Sequence, residues 1–472
     1  MNGVSMEFFD TRCVEDSYFL ERRLTQARKH EGNPVIEPCK AMQSVLREEG
    51  GRFRMWYSTY QRTGRTGIDV FTLHHAESED GLKWSFPELG LKELNGNRRN
   101  NIIIVSDDKD IEGKPLTGSV GTEGFCVIDL KASGVTNASS RYAAMYLTNL
   151  PQGGGLCLAY SDDGYRWKAH PGNPVFRGWP DMFNNFFFDS RLGRYVLYHR
   201  PEAHAGPHCA NRMVARSESD DLVHWDNTRI VLSTDGGDAA AVGTVDEGDG
   251  QPRGRDFQFY GMTVTPYNGL YLGIAEYYDV VKGRLSVKLF HSFDGIDWRR
   301  ETNNDILIPQ SPGAWDSECI GYVQAGSPVR VGDDLYFYYG GMNTNHHDAV
   351  KCAETPNARR GLGIGIVPCG RLAGYHAGKE SGELLTRPFI LNKSHLTINA
   401  NAIHGDVKAG LTDESGRWIN GFSFDDAIMR QDDKSDMPLA WKGNSTIEKL
   451  TGKTVRLRIS ARNAALYGIN QE

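Results

Sequence analysis

At 472 residues, with 39% hydrophobic, 24% charged and 10% aromatic residues, the chain is too apolar for disorder and too long for one ordinary compact core. A formal net charge of −7 leaves no overall basic field to hold a nucleic-acid backbone, so nucleic acid is not an expected partner. No run of about 18 apolar residues occurs, and the opening MNGVSMEFFDTRCVEDSYFLERR has no apolar stretch behind a basic one, so a soluble, cytoplasmic protein without membrane contact is expected.

In chain order, residues 1–35 read as a segment that packs on the repeating units beginning at residue 36. In those units one pattern recurs: a short run, a strand rich in Tyr and apolar residues, then a third strand that ends in a turn. The first unit holds MQSVL, GGRFRMWYSTY and FTLHHAES, and the second EGFCVIDL, SSRYAAMYLT and GLCLAYS. The third holds MFNNFFFD, LGRYVLYHR and RMVARSES, and the fourth FYGMTVTPY, YNGLYLGIAEYY and SVKLFHS. A fifth runs from ECIGYVQAGSPVRVGDDLYFYYGGMN to RRGLGIGIVPCGRLAGY. Residues 233–256 and 347–360 read as loop insertions. After residue 378, alternating strands without the turn motif predict a separate domain over 379–472, whose role is packing or carbohydrate binding.

The turn is spelled SEDGLKW at 78–84, SDDGYRW at 161–167, SDDLVHW at 219–225 and SFDGIDW at 292–298. Asp in such a turn accepts hydrogen bonds from its own backbone, and Gly supplies positive φ, so the Ser-Asp-Trp trio is structural punctuation and not chemistry. Short sheets repeated around an axis leave only brief edges exposed. The fold class is therefore read as all-β: a five-bladed β-propeller over 36–378 followed by a C-terminal β-sandwich over 379–472.

The innermost strands of such a ring converge, and near their starts stand Glu123, Asp181, Asp256, Asp316 and Glu318. The first unit offers only Glu37, Lys40 and Gln43 there. Two carboxyl groups, one protonated and one ionised, are what acetal cleavage needs, and Glu123, Asp181, Asp256 and Glu318 are the catalytic candidates. Trp179, Trp315, Arg200, Tyr260, Glu276, Asp316, Asn343, His346 and His347, with Glu37 and Lys40, are candidates for holding sugar faces and hydroxyls. The eight cysteines form no CxxC pair, and His346-His347-Asp348 lacks a spaced third ligand, so no metal or cofactor is expected.

NPVIEP at 33–38, the strand–SxDGxxW pattern and the strand-rich tail resemble the five-bladed β-propeller glycoside hydrolase superfamily, fructosidase- and arabinanase-like. FFFDSRLGRYVLYHRP, ARSESDDLVHW, HAGKESGELLTRPF and VRLRISARNAALY are similar, more narrowly, to bacterial glycosidase-like proteins with this layout and no settled activity. The resemblance implies an exo-acting glycosidase on a furanoside or a related small glycan, with a base Asp from blade one, a positioning Asp and a Glu acid. Asp181 fits an Asp role and Glu123 or Glu318 the acid, whereas blade one has no Asp at its inner strand. A non-catalytic carbohydrate-binding propeller, a sialidase-type enzyme, and a phosphorylase using Lys40, Arg200 or Arg255 are the alternatives. The oligomeric state stays open.

Overall fold

The computed structural model describes residues 5–38, 43–62, 69–181, 184–201, 212–235, 257–300, 306–323, 326–346 and 357–472. Among these the regular structure is strand, apart from short 3-10 turns such as Thr11–Cys13 and Glu448–Leu450. Two compact units emerge, one of residues 27–300 and 305–366, the other of 1–26, 301–304 and 367–472.

The larger unit is a succession of antiparallel sheets. The first pairs Gln43–Arg47, Phe53–Arg62, Asp69–Ser78 and Ile102–Ile104 in that order. The second runs Glu123–Asp129, Tyr142–Leu150 and Gly153–Ser161, edged by Lys168–Ala169 and Phe176–Arg177. The third runs Asn185–Asp189, Arg194–His199, Val214–Ser219 and Asp226–Leu232. The fourth holds Phe257–Tyr267, Leu270–Asp279 and Arg284–Ser292, and the fifth Cys319–Gly321, Asp334–Met342 and Arg360–Pro368; these last two are joined into one ten-stranded sheet where Leu285 pairs in parallel with Cys319. Arg28–Lys29, from far earlier in the chain, completes the outer edge of the fifth sheet. Burial follows position in each sheet: Tyr142–Leu150 is buried almost throughout and is apolar on both faces, whereas the edge strand Asp226–Leu232 is mostly exposed and polar.

Side chains of the first strands tie each sheet to the next. Ser44 donates to Phe125 O and accepts from Val127 N, both at 3.0 Å, which joins the first sheet to the second. Cys126 Sγ lies 3.9 Å from Phe186 O, Val264 N donates to Asn185 Oδ1 at 2.9 Å, and Thr263 donates to Val323 O at 2.6 Å. Gln43 Nε2 then donates to Tyr322 O at 2.9 Å, so the links run from the first sheet through the fifth and back.

The Ser-Asp-Trp turns add a second set of links between sheets. Gly81, Gly164, Leu222 and Gly295 each donate N–H to the motif Ser Oγ at 2.9 Å, and the two residues after each donate to the motif Asp Oδ1 at 2.8–2.9 Å. Each turn also grips the preceding sheet. Tyr338 donates to Gly81 O at 2.8 Å, Trp56 to Gly164 O at 2.7 Å and Tyr198 to Gly295 O at 2.7 Å. A Cβ on Gly81 would stand 2.6 Å from Tyr338 Oη, and one on Gly295 2.7 Å from Tyr198 Oη, both at positive φ, so Gly is required at these two turns. The motif Trp packs edge-on against the same partner: Trp84 on Tyr338, Trp167 on Trp56, Trp298 on Tyr198. At the third turn Leu222 replaces Gly, and the residue corresponding to Trp56 is Met145; the two are buried in one apolar cluster, and Leu222 O accepts instead from the motif's own Trp225 Nε1 at 3.1 Å.

In the smaller unit one sheet orders Leu20–Leu24, Ala373–Ala377, Ala465–Gln471, Leu396–Asn401 and Asp433–Pro438. The other contains Val14–Tyr18, Gly382–Thr386, Thr454–Arg462, Phe389–Ile390 and Asp406–Thr412. Thr454–Arg462 alternates strictly, with Val455, Leu457, Ile459 and Ala461 turned into a cluster shared with Phe8, Ile398, Val407 and Trp441 from both sheets. Ser5–Glu7, Val14–Tyr18 and Leu20–Leu24, from the opening segment, are paired strands of these sheets.

Candidate active site

Irregular backbone gathers the site in the larger unit. In the fourth sheet Phe259 pairs with Tyr277 and Gly261 with Glu276, leaving Tyr260 as the extra residue of a β-bulge. A bulge re-aims the side chain it carries. The second sheet is bulged in the corresponding place: Met145 pairs with Cys126 and Leu147 with Glu123, so Glu123 starts its strand just before the irregularity. Asp181 and Tyr322 both adopt φ of 54°, a left-handed conformation that a bulky residue such as Tyr322 holds only under strain.

Tyr260, 4% exposed, is the hub. Arg200 Nη1 forms an ion pair with Asp181 Oδ2, Nη2 donates to Tyr260 O at 2.8 Å, and the guanidinium lies 4.8 Å from the Tyr260 ring centroid. Arg212 lies 5.2 Å from the Tyr260 ring and 5.4 Å from that of Tyr278, and donates to Gln258 Oε1 at 2.7 Å. His346 meets Tyr260 and Tyr278 edge-on at 4.9 and 5.1 Å, its backbone N–H fixed on Gly283 O at 2.6 Å. Arg200 Nε and Arg212 Nε are buried without a hydrogen-bond partner among the described residues.

Burial drives the Tyr260 hydroxyl pKa upward, Asp181 and Glu123 push the same way, and Arg200 and Arg212 oppose them. Carboxylates from the second sheet and from the lead-in to the third thus act on one atom of the fourth. Burial lowers and Asp181 raises the Arg200 pKa, with the net direction upward, so the guanidinium stays charged. Glu276 behaves differently. It is fully buried, one oxygen accepts from Tyr322 N, and Oε2 has no hydrogen-bond partner among the described residues. Burial raises its pKa to about 8 against the pull of the Tyr322 and Val323 N–H groups and of Arg200, so at pH 7 it keeps its proton.

Glu123, Asp181, Arg200, Tyr260, Glu276 and His346 therefore come together, while other candidates do not join them. Glu318 is held in a two-point pair with Arg284 at 2.7 and 3.1 Å. Glu37 is paired likewise with Arg359 at 2.9 and 2.6 Å. Trp315 stacks on Tyr339, and Asp316 is buried between Lys29 Nζ at 2.5 Å and Tyr339 Oη at 2.8 Å, so both serve the packing of the fifth sheet. Trp179 is 44% exposed and lies over Gly154. Asn343 ties a loop by bonding Asn357 O and Arg359 N. Lys40, Arg255, Asp256 and His347 lie outside the described residues. Sequence reasoning missed Arg212, Tyr278 and Tyr322; an Arg at the head of RMVARSES was the one available signal. Among the described residues no group of three or more His, Cys, Asp or Glu could hold a metal ion, and no helix is long and apolar enough to cross a membrane.

No family model and no curated protein matches the chain. Among solved structures it is similar to a thermostable family-43 glycoside hydrolase, with 15% identity over 72% of this chain and 92% of that one and a TM-score of 0.47. It is similar to a structure described under glycoside hydrolases of the GH130 family of mannoside phosphorylases that target beta-1,2 mannosidic linkages in Candida mannan, with 14% identity, 74% and 95% coverage and a TM-score of 0.45. It is also similar to an N-acetylgalactosamine deacetylase from F. plautii in complex with blood group B trisaccharide, with 16% identity, 76% and 96% coverage and a TM-score of 0.43. Each is a protein described as acting on glycans, and no residue role is carried over from them.

Proposed function

We propose that the chain is a glycoside-cleaving enzyme built as a five-bladed β-propeller with a C-terminal β-sandwich, and that the cluster around Tyr260 is its catalytic centre. The observation that supports this reading is the Arg200 guanidinium, bonded at once to Asp181 and to Tyr260 O, with Asp181 and Glu123 both acting on the Tyr260 hydroxyl and burial raising the pKa of the enclosed Glu276 beside them. Asp181, tied to Arg200 and one-third exposed, is the ionised carboxylate that activates the attacking nucleophile. Glu123 is the carboxyl that protonates the leaving oxygen. Glu276, lying behind them with its proton retained, lets a third carboxyl stand close by without a third negative charge. The substrate class is a small furanoside, fructo- or arabino-configured, cut from its end, an assignment that rests on the resemblance of NPVIEP and the turn motifs.

Amide substitution tests the core of the reading. Asp181→Asn and Glu123→Gln should each lower turnover of aryl furanosides by about 10²–10⁴-fold with unchanged melting temperature. Unchanged rates in both would overturn it. A second reading, phosphorolysis, is favoured by the Nε atoms of Arg200 and Arg212, which have no partner among the described residues and suit an oxyanion. Turnover that depends on added phosphate and yields a sugar phosphorylated at its anomeric carbon would select it. The described cysteines, Cys13, Cys126, Cys157, Cys319 and Cys369, are free, which supports a reducing, cytoplasmic setting.

A further inference from the structure

A groove of about 620 Å3 opens within the smaller unit, and among its lining residues are Phe19, Glu21, Arg23, His376, Asn401 and Asn463. Phe19 is the single residue between strands Val14–Tyr18 and Leu20–Leu24, with φ of 51°. Such a position ordinarily takes Gly or Asn, because a bulky side chain is strained there. The ring does not offset that strain by burial, since it is 62% exposed. Tyr18 beside it is 65% exposed and meets it edge-to-face, centroids 4.3 Å apart and planes at 78°. One exposed aromatic ring, on strained backbone, thus lines a concave surface, and a second exposed ring packs edge-to-face against it.

The polar lining carries no net charge. Glu21 and Arg23 neutralise each other in a 2.5 Å pair. His376 Nε2 is buried without a hydrogen-bond partner among the described residues, and burial followed by Arg23 lowers the imidazole pKa, so it presents a neutral ring. Asn401 and Asn463 add carboxamides, which both donate and accept. Balanced charge disfavours an anionic ligand. Aromatic faces beside amides, a neutral imidazole and an ion pair suit a molecule with apolar C–H faces and a rim of hydroxyls, and the volume lies within the usual range for a compact ligand.

We propose that this groove is a second carbohydrate site, binding a neutral oligosaccharide without cleaving it. It goes beyond the catalytic reading and stands without it. The test uses the full chain carrying Asp181→Asn, titrated calorimetrically with xylo-, arabino-, manno- and fructo-configured pentasaccharides. At least one probe should bind, and Phe19→Gly should weaken that binding about tenfold while the melting temperature holds or rises, because Gly relieves the backbone. Tyr18→Ser, which leaves the turn backbone alone, should weaken the same probe. Failure of every probe to bind, or binding unmoved by both substitutions, overturns the proposal; binding at the catalytic centre alone would show as the latter.

Discussion

The turns and the cluster around Tyr260 use the same chemical group to opposite ends. Asp80, Asp163, Asp221 and Asp294 are partly buried, which by itself raises their pKa values, yet the N–H groups of the residues after each of them outweigh this and the net direction is downward. Glu276 also accepts backbone N–H, but it is fully enclosed with one oxygen unpartnered among the described residues, and its pKa goes up to about 8. The difference teaches that a carboxyl group's acidity depends on whether donors compensate for lost water, not on how many acids the sequence places nearby. Four turn Asp residues are permanent anions that fix backbone. One enclosed Glu is a proton store near neutral pH.

The largest effect should come from that contrast read as stability. The folded pKa of Glu276 is raised from 4.5 to about 8, so its contribution is fully present below pH 4.5 and is lost as pH rises through about 8. Wild-type stability should fall by on the order of 4 kcal/mol across that window from this group alone, and Glu276→Gln should flatten the fall. Urea unfolding at pH 5 and pH 8.5 for both proteins measures it; parallel profiles would break the comparison.

A smaller effect is expected where the turns grip their neighbours. Gly81→Ala and Gly295→Ala push a methyl against Tyr338 and Tyr198 at positive φ and should cost about 2 kcal/mol each. The third turn sharpens this, because it works without Gly: Leu222→Gly should be destabilising alone and partly repaired by Met145→Tyr, which restores the donor found at the other turns. Tyr338→Phe and Tyr198→Phe, which remove only a hydrogen bond, should cost about 1 kcal/mol. Least of all, Asp221→Asn should move only the acid arm. Its folded pKa is lowered, so its stabilisation is present above pH 3.8 and lost as pH falls, and half the side chain is in water.

The repeating units were legible because their cues are local: a Ser and an Asp two residues apart, a Gly, and strands apolar on both faces. The candidate cluster was legible only in part. Glu123 and Glu318 stand alike before an inner strand, but a bulge comes after Glu123, whereas Glu318 enters a regular pair and turns to Arg284. One residue of register changes the face a side chain occupies, and nothing in EGFCV or ECIGY announces which strand will bulge. Arg212 and Tyr322 were invisible for a related reason, since they matter through residues 48 and 62 positions from Tyr260. The strands of the opening segment were missed because their partners lie more than 300 residues later in the chain.

Gln43 on Tyr322 and Tyr338 on Gly81 have a consequence for how the larger unit comes apart. A linear stack of repeats has two end members, each with one bare flank, and it can fray from them. Here the first sheet is bonded to the fifth through inner strand and outer turn alike, so neither presents a bare flank on that side. Loosening either of these two sheets opens that seam together with its interface on the other side. Such a unit should melt in a single step or not at all, and shortening it by one repeat should leave nothing folded to measure.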